Sequence, residues 1–149
     1  MKFILTRELG RLAKWLRILG YDTEYFREDN YSKLKICALR EERTIITRNH
    51  RLGQPRGIPL VMIEHDLLKD QIQQIMQELH LESSAEGMFS LCTICNKALV
   101  AIKKAVIKDK VPEYVFQTQE KFLICPSCKR IYWAGTHWGN VEEYIDSVT

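Results

Sequence analysis

The sequence predicts an α/β fold, a mostly parallel sheet flanked by helices, followed by a small zinc-ribbon domain. Three observations carry this. Short apolar runs alternate with helical periodicity through residues 1–82; the pattern stops in the small, polar stretch 83–90; and two C-x-x-C pairs follow. Strands alternating with helices at these lengths imply parallel strands with helices packed on both faces. The domain reading is therefore an α/β domain over 1–82, a linker over 83–90, and a four-cysteine ribbon with a C-terminal helix over 91–149.

Each element has its own signal. KFILT (Lys2 to Thr6) reads as a buried strand, and Leu9, Leu12, Leu16 and Leu19 then recur at three- and four-residue spacing up to Gly20, a good helix terminator. DTEYF (Asp22 to Phe26) is a second strand, and Tyr31 to Glu42 has helical spacing through Leu34 and Ala38, with Cys37 on a looser face. TIIT (Thr44 to Thr47) is the third strand. PLVMIE (Pro59 to Glu64) is the fourth, before an amphipathic helix carrying Leu68, Ile72, Ile75, Met76 and Leu79. In the second unit, Tyr114 and Phe116 read as part of a strand packed on its own core.

Composition sets limits rather than a function. The 149 residues are 46% hydrophobic and 28% charged, enough for a real core and a small appendage. No run approaches the ~18 apolar residues of a membrane span, and MKFILTRELG is charged where a signal peptide is apolar, so a cytoplasmic chain is expected. A net charge of +3 is too small to argue for a nucleic-acid partner, so local patterning must decide.

The strongest motif is CTIC, with Cys92 and Cys95, matched by CPSC, with Cys125 and Cys128. Two such knuckles supply four thiolates, the ligand set of a structural Zn²⁺. Two disulfides would need an oxidising compartment, and a redox motif would need a single C-x-x-C beside a βαβ unit. Lys97, Lys129 and Arg130 offset the negative charge of such a site, and Cys37 is left as a buried hydrophobe.

Nucleic-acid signals lie elsewhere. Arg7, Arg11, Lys14 and Arg17 follow one another at i, i+4, i+7 and i+10, a stripe opposite the leucine face, while Arg48, Arg51 and Arg56 follow the third strand. They suit phosphate binding along a groove; a solvated helix face and turn is the plain alternative. Lys103, Lys104, Lys108 and Lys110 make a second basic cluster between the knuckles. Acids near strand ends or helix starts are Glu8, Asp22, Glu28, Asp29, Glu64 and Asp66. Each has an ordinary role open to it: Glu8 suits the first turn of a helix, and Asp66 is a natural N-cap before LLKD. His50 and His65 read as turn histidines, and His137 as packing beside Trp138.

GRLAKWLRILGYD (Gly10 to Asp22), REERTIITR, the two knuckles, VPEYVF (Val111 to Phe116) and RIYWAGTHW (Arg130 to Trp138) together resemble the PIN-like ribonuclease domain named for the C-terminal region of Mut-seven proteins. The resemblance covers nearly the whole chain. It implies a PIN-like α/β domain with a zinc ribbon, acting on RNA, with acidic residues at the strand ends holding Mg²⁺ or Mn²⁺. In that family the first strand usually ends in Asp and the third in Thr-Arg-Asp, whereas Thr6 and Asn49 stand at the matching positions here. A hydroxyl and an amide bring no charge to a hard cation. Asp29 matches the acid expected near the second helix, and Asp66 is a relocated candidate.

Three functions follow as expectations. The first is an RNA-binding module that keeps the ribonuclease fold, with Arg7, Arg11, Lys14, Arg17, Arg48 and Arg51 on RNA. The second is a Mg²⁺- or Mn²⁺-dependent endoribonuclease using relocated carboxylates. The third is an adaptor that docks protein partners through the zinc ribbon.

Overall fold

A computed structural model describes residues 1–82 and 87–133 and divides the chain into two compact units, Met1–Asn96 and Lys97–Thr149. In the first unit, β1 (Lys2–Leu5), β2 (Asp22–Tyr25), β3 (Thr44–Thr47) and β4 (Leu60–Met62) form one parallel sheet in the order β2-β1-β3-β4. The helices α1 (Gly10–Ile18), α2 (Tyr31–Arg40) and α3 (Leu68–Glu78) link and follow them. The chain leaves β1 in one direction to build β2 and then crosses back to add β3 on its other side. Loops on either side of that reversal part, which opens a crevice beyond the carboxyl ends of β1 and β3.

Side chains of the central strands are buried on both faces of the sheet. Ile4 and Ile45 join Leu34 and Ala38 of α2, with Phe26, Leu52 and Ile58, in one core cluster, and Tyr31, Cys37 and Leu60 pack against it half-buried. Their neighbours along the strands, Phe3, Leu5 and Ile46, are equally buried, as are Leu12 and Leu16 of α1 and Ile72 and Ile75 of α3. Each such side chain contributes ~1.5–3 kcal/mol by leaving water. The strands are apolar on both faces because both faces are covered.

Loops are fastened rather than slack. Arg43, buried before β3, donates from Nη1 to the Phe3 carbonyl at 3.0 Å and to Asp22 Oδ1 at 2.9 Å, so one guanidinium ties three strand starts together. Gly87–Ser90, the described part of the expected linker, is held to α1 by the Phe89 N–H on the Ile18 carbonyl at 2.9 Å. Gly20 sits at φ +93° there, and a Cβ on it would come within 2.1 Å of the Gly87 carbonyl oxygen. The terminator signal thus reports a left-handed turn and a backbone crossing at once.

The second unit has an antiparallel sheet, β5 (Val100–Ile102), β6 (Phe122–Ile124) and β7 (Ile131–Trp133), in that order. Ile107, Val115 and Phe122 form its small core, with Ile131 and Trp133 packed against them. The strand expected around Tyr114 and Phe116 is instead the short helix α4 (Glu113–Thr118). Pro112 starts it, Val115 supplies its buried face, and Tyr114 points outward at 70% exposure. Two aromatics two residues apart imitate strand alternation, but Pro and Glu before them are a helix start. The expected C-terminal helix lies outside the described residues, as do His137 and Trp138.

Gly20→Ala is expected to cost about 2 kcal/mol or more, combining positive-φ strain with the blocked approach of Gly87. Gly57 also has positive φ, +78°, yet nothing lies within 4 Å of its would-be Cβ. Gly57→Ala should therefore lower the thermal midpoint distinctly less than Gly20→Ala; equal losses would leave the crossing without a role.

Candidate functional site

The crevice beyond β1 and β3 is a cavity of about 340 Å³ lined by Thr6, Arg7, Glu8, Glu28, Asp29, Tyr31 and Asn49. The sequence-matched positions Thr6 and Asn49 and the candidate Asp29 therefore meet at one place. Asp66 does not line it: it lies after β4, 86% exposed, with its carboxylate on the Arg48 guanidinium. Nor does Asp66 cap α3, whose N-cap is Leu67 with no side-chain bond.

At the back of the cavity the residue that organises the strand ends is Glu8. A short 3₁₀ turn, Arg7–Leu9, swings its carboxylate back over β1. Glu8 Oε1 accepts from the Thr6 hydroxyl at 2.6 Å, the Arg48 N–H at 2.9 Å and the Thr47 hydroxyl at 3.2 Å. Thr6 and Thr47 are buried, and their hydroxyl oxygens lie 2.8 Å apart. Two hydroxyl protons are available, so either both point at Glu8 or Thr6 relays through Thr47. Partial burial pushes the Glu8 carboxyl up, but the bonds from Thr6, Arg48 and Thr47 outweigh it and hold it below the ordinary carboxylate value. Sequence reasoning placed Glu8 in a helix's first turn and undervalued it; a Thr two residues before it and another at the end of β3 were the signal.

The other polar groups of the cavity are engaged as well. The Asn49 amide donates to the Tyr31 hydroxyl, and its oxygen caps the following turn by accepting from the Arg51 N–H at 3.0 Å. Glu28 takes the Lys33 ammonium on both oxygens, at 2.8 and 3.1 Å, and Asp29 pairs with Arg7 at 3.1 Å. This donor set does not fit Mg²⁺ or Mn²⁺. A hard cation needs several anionic oxygens turned to one point, whereas among the described residues the acids here are spread over separate cationic and hydroxyl partners. No cluster of three or more acids or histidines at coordination spacing forms among them.

The basic stripe survives only in part. Arg11 and Lys14 are exposed on α1, as are Arg51 and Arg56 in the loop after β3. Arg7 and Arg48 are committed to Asp29 and Asp66. Arg17 is a correction: it is only 7% exposed, and it donates from Nε to the Thr23 carbonyl at 2.8 Å and from Nη1 to the Thr93 and Ile94 carbonyls at 2.9 and 3.1 Å. It holds the first cysteine knuckle, so its guanidinium is already engaged. Helical spacing placed it correctly on the stripe, but its cover comes from residues 76 positions away.

The two knuckles are copies of one backbone turn. The Asn96 N–H donates to the Cys92 carbonyl at 2.9 Å, as the Lys129 N–H does to that of Cys125, and Asn96 and Lys129 share left-handed φ, +61° and +66°. The Cys95 and Cys128 N–H groups approach the Cys92 and Cys125 sulfurs at 3.4 and 3.5 Å. All four sulfurs lie within 4.8 Å of one another. A tetrahedral site with ~2.3 Å Zn–S bonds needs sulfurs ~3.8 Å apart, so the cluster could hold zinc with little movement.

The family described as the Mut7-C RNAse domain matches residues 1–145. The chain belongs to this family. No curated protein and no solved structure matches it. Membership in the Mut7-C RNAse domain family supports a ribonuclease-like or RNA-related role, and the four-cysteine group fits a metal-binding Mut7-C chain. Among the described residues, no helix is long and apolar enough to cross a membrane.

Two outcomes are expected. Glu8 has a depressed folded value, so its contribution is complete above the ordinary 4.5 and disappears as pH falls through the folded value. Glu8→Gln should therefore destabilise by about 1 kcal/mol at pH 7, with the gap closing in denaturant titrations as pH falls below the ordinary carboxylate range. Zinc-replete protein should contain one equivalent of Zn²⁺, and Cys92→Ser should lose it along with ordered ribbon amides in NMR spectra. Wild-type protein free of zinc by elemental analysis would refute this.

Proposed function

We propose that this Mut7-C chain is a zinc-stabilised RNA-binding protein whose strand-end site no longer cleaves RNA. One observation carries the reading: the carboxylate at the strand ends, Glu8, is tied to Thr6, Thr47 and Arg48 where a metal-dependent nuclease needs acid oxygens turned toward a cation. Thr6 and Asn49 add no charge, and Arg7 and Lys33 neutralise Asp29 and Glu28. What remains suited to RNA is the exposed charge of Arg11, Lys14 and Arg51 around the same end of the sheet.

A second reading has one observation in its favour. Glu8, Glu28 and Asp29 border the same cavity, so a cation that displaced Arg7 and Lys33 would find three carboxylates around it. Exposed ion pairs are worth only ~0–1 kcal/mol and yield readily. In this reading relocated acids support endoribonuclease activity.

Purified protein with Mg²⁺ or Mn²⁺ is expected to cut RNA no faster than background. Thr6→Asp with Asn49→Asp should create a repelling acid pair beside Glu8 that a divalent ion relieves, tightening metal binding measured by calorimetry. Robust cleavage by the unaltered protein, abolished by EDTA and by Asp29→Asn, would establish the second reading. Binding to fluorescent single-stranded RNA should weaken as salt rises, and Arg11→Ala with Lys14→Ala should lower the log–log slope by about 1.4. An unchanged slope would return those residues to a solvated face.

A further inference from the structure

We infer that Arg17 and Asn96 are positioning residues of the zinc site, tying the first cysteine turn to β2 so that metal and sheet edge stabilise one another. The coupling goes beyond RNA binding and rests on the four cysteines taking zinc.

β2 ends the parallel sheet, and its Thr23 is fully buried. The groups that cover Thr23 come from α1 and from the turn Cys92–Asn96, which supplies two of the four sulfurs. Arg17 of α1 donates from Nε to the Thr23 carbonyl at 2.8 Å and from Nη1 to the Thr93 and Ile94 carbonyls at 2.9 and 3.1 Å. Asn96 Oδ1 accepts from the Thr23 N–H at 2.9 Å, and Asn96 Nδ2 donates to Asp22 Oδ1 at 2.6 Å. Thr93, Ile94 and Asn96 are the residues of the turn that are not cysteine, and each is therefore fastened to β2 directly or through Arg17.

These bonds fix the part of the turn that decides where its sulfurs point. Both peptide carbonyls between Cys92 and Cys95 lie on one guanidinium. Asn96 closes the turn at φ +61°, its N–H on the Cys92 carbonyl at 2.9 Å. Arg17 is almost wholly buried and its planar fork has fixed directions, so neither carbonyl can swing away without leaving a buried donor unpaired. A turn held in this way leaves less chain to order when zinc binds, which tightens binding.

The coupling is reciprocal. Whatever factor the bonds from Arg17 and Asn96 add to zinc affinity, zinc adds to the closure of those bonds. Loss of the metal frees the turn, and the Thr23 N–H and carbonyl lose their cover. The other side of the sheet is held separately, by the Ile45 N–H on the Pro59 carbonyl at 2.9 Å.

Zinc affinity of the full-length protein against a competing chromophoric chelator, with amide exchange followed by NMR, tests the coupling. Asn96→Gly keeps a residue suited to left-handed φ and removes the amide, while Arg17→Lys keeps the charge and removes the fork. Each should weaken zinc binding roughly ten- to one-hundredfold, the usual loss for groups that orient metal ligands. Stripping zinc from the unaltered protein should speed exchange of the Thr23 N–H by a factor of the same order, while the Ile45 N–H keeps its protection. Unchanged zinc affinity in Asn96→Gly and Arg17→Lys overturns this coupling and leaves the zinc site standing. Full affinity in Arg17→Lys alone would show that charge suffices and would overturn the role of the fork. Equal loss of protection at Thr23 and Ile45 would mean that the first unit melts as a whole without metal, and would overturn the coupling as well. Unaltered protein that takes up no zinc would bring down both the zinc site and the coupling.

Discussion

Thr23 sits in β2, at the open edge of a parallel sheet, and both of its outward backbone groups would face no strand. Asn96 accepts its N–H at 2.9 Å and Arg17 donates to its carbonyl at 2.8 Å, so two side chains take the place of a fifth strand. The same Asn96 donates to Asp22 at 2.6 Å, the same Arg17 holds the Thr93 and Ile94 carbonyls, and Arg43 reaches Asp22 from the far side. Partial burial raises the Asp22 carboxyl, yet the bonds from Asn96 and Arg43 leave it depressed, so the latch is charged at neutral pH. Burial lowers Arg17, partly offset by the negative charge of Glu24 and of Cys92 and Cys95 as thiolates. Removing one member would leave a buried donor or acceptor unpaired, the expensive failure for such networks.

This latch makes the first knuckle part of the sheet's boundary. The turn Cys92–Asn96 belongs to the unit Met1–Asn96, and its left-handed Asn96 is the residue whose side chain closes β2. The conformation that shapes a cysteine turn for a metal is therefore also the one that aims an amide at the sheet. Lys129 has the same backbone in the second knuckle and turns its charge to a cavity instead.

Hydrogen bonding at the opposite end of the strands bears on activity. Glu8 takes its bonds from Thr6, Thr47 and Arg48 on Oε1, and its depressed pKa records the same bonds. A strand-end metal and this closure would compete for that one oxygen of the carboxylate. The strand-end pocket of the first unit is therefore partly neutralised, its Asp29 and Glu28 paired with Arg7 and Lys33.

Much was determined by the sequence alone. Strand and helix order, the buried positions Ile4, Leu34, Ala38 and Ile45, the turn at Gly20 and the cysteine quartet all follow from local periodicity, φ preference and ligand spacing, which do not depend on distant residues. The absence of acids at Thr6 and Asn49 was equally legible. Tertiary structure decided what covers each face. Arg17 left the phosphate stripe because the knuckle packs over it, Glu8 became the centre of the strand ends because β1 and β3 bring Thr6 and Thr47 together, and Asp66 fell to Arg48 rather than to the cavity. Helix α4 replaced a strand because Val115, not the aromatic pair, found the core. A side chain's type fixes which bonds it can make, and only the fold fixes which partner arrives.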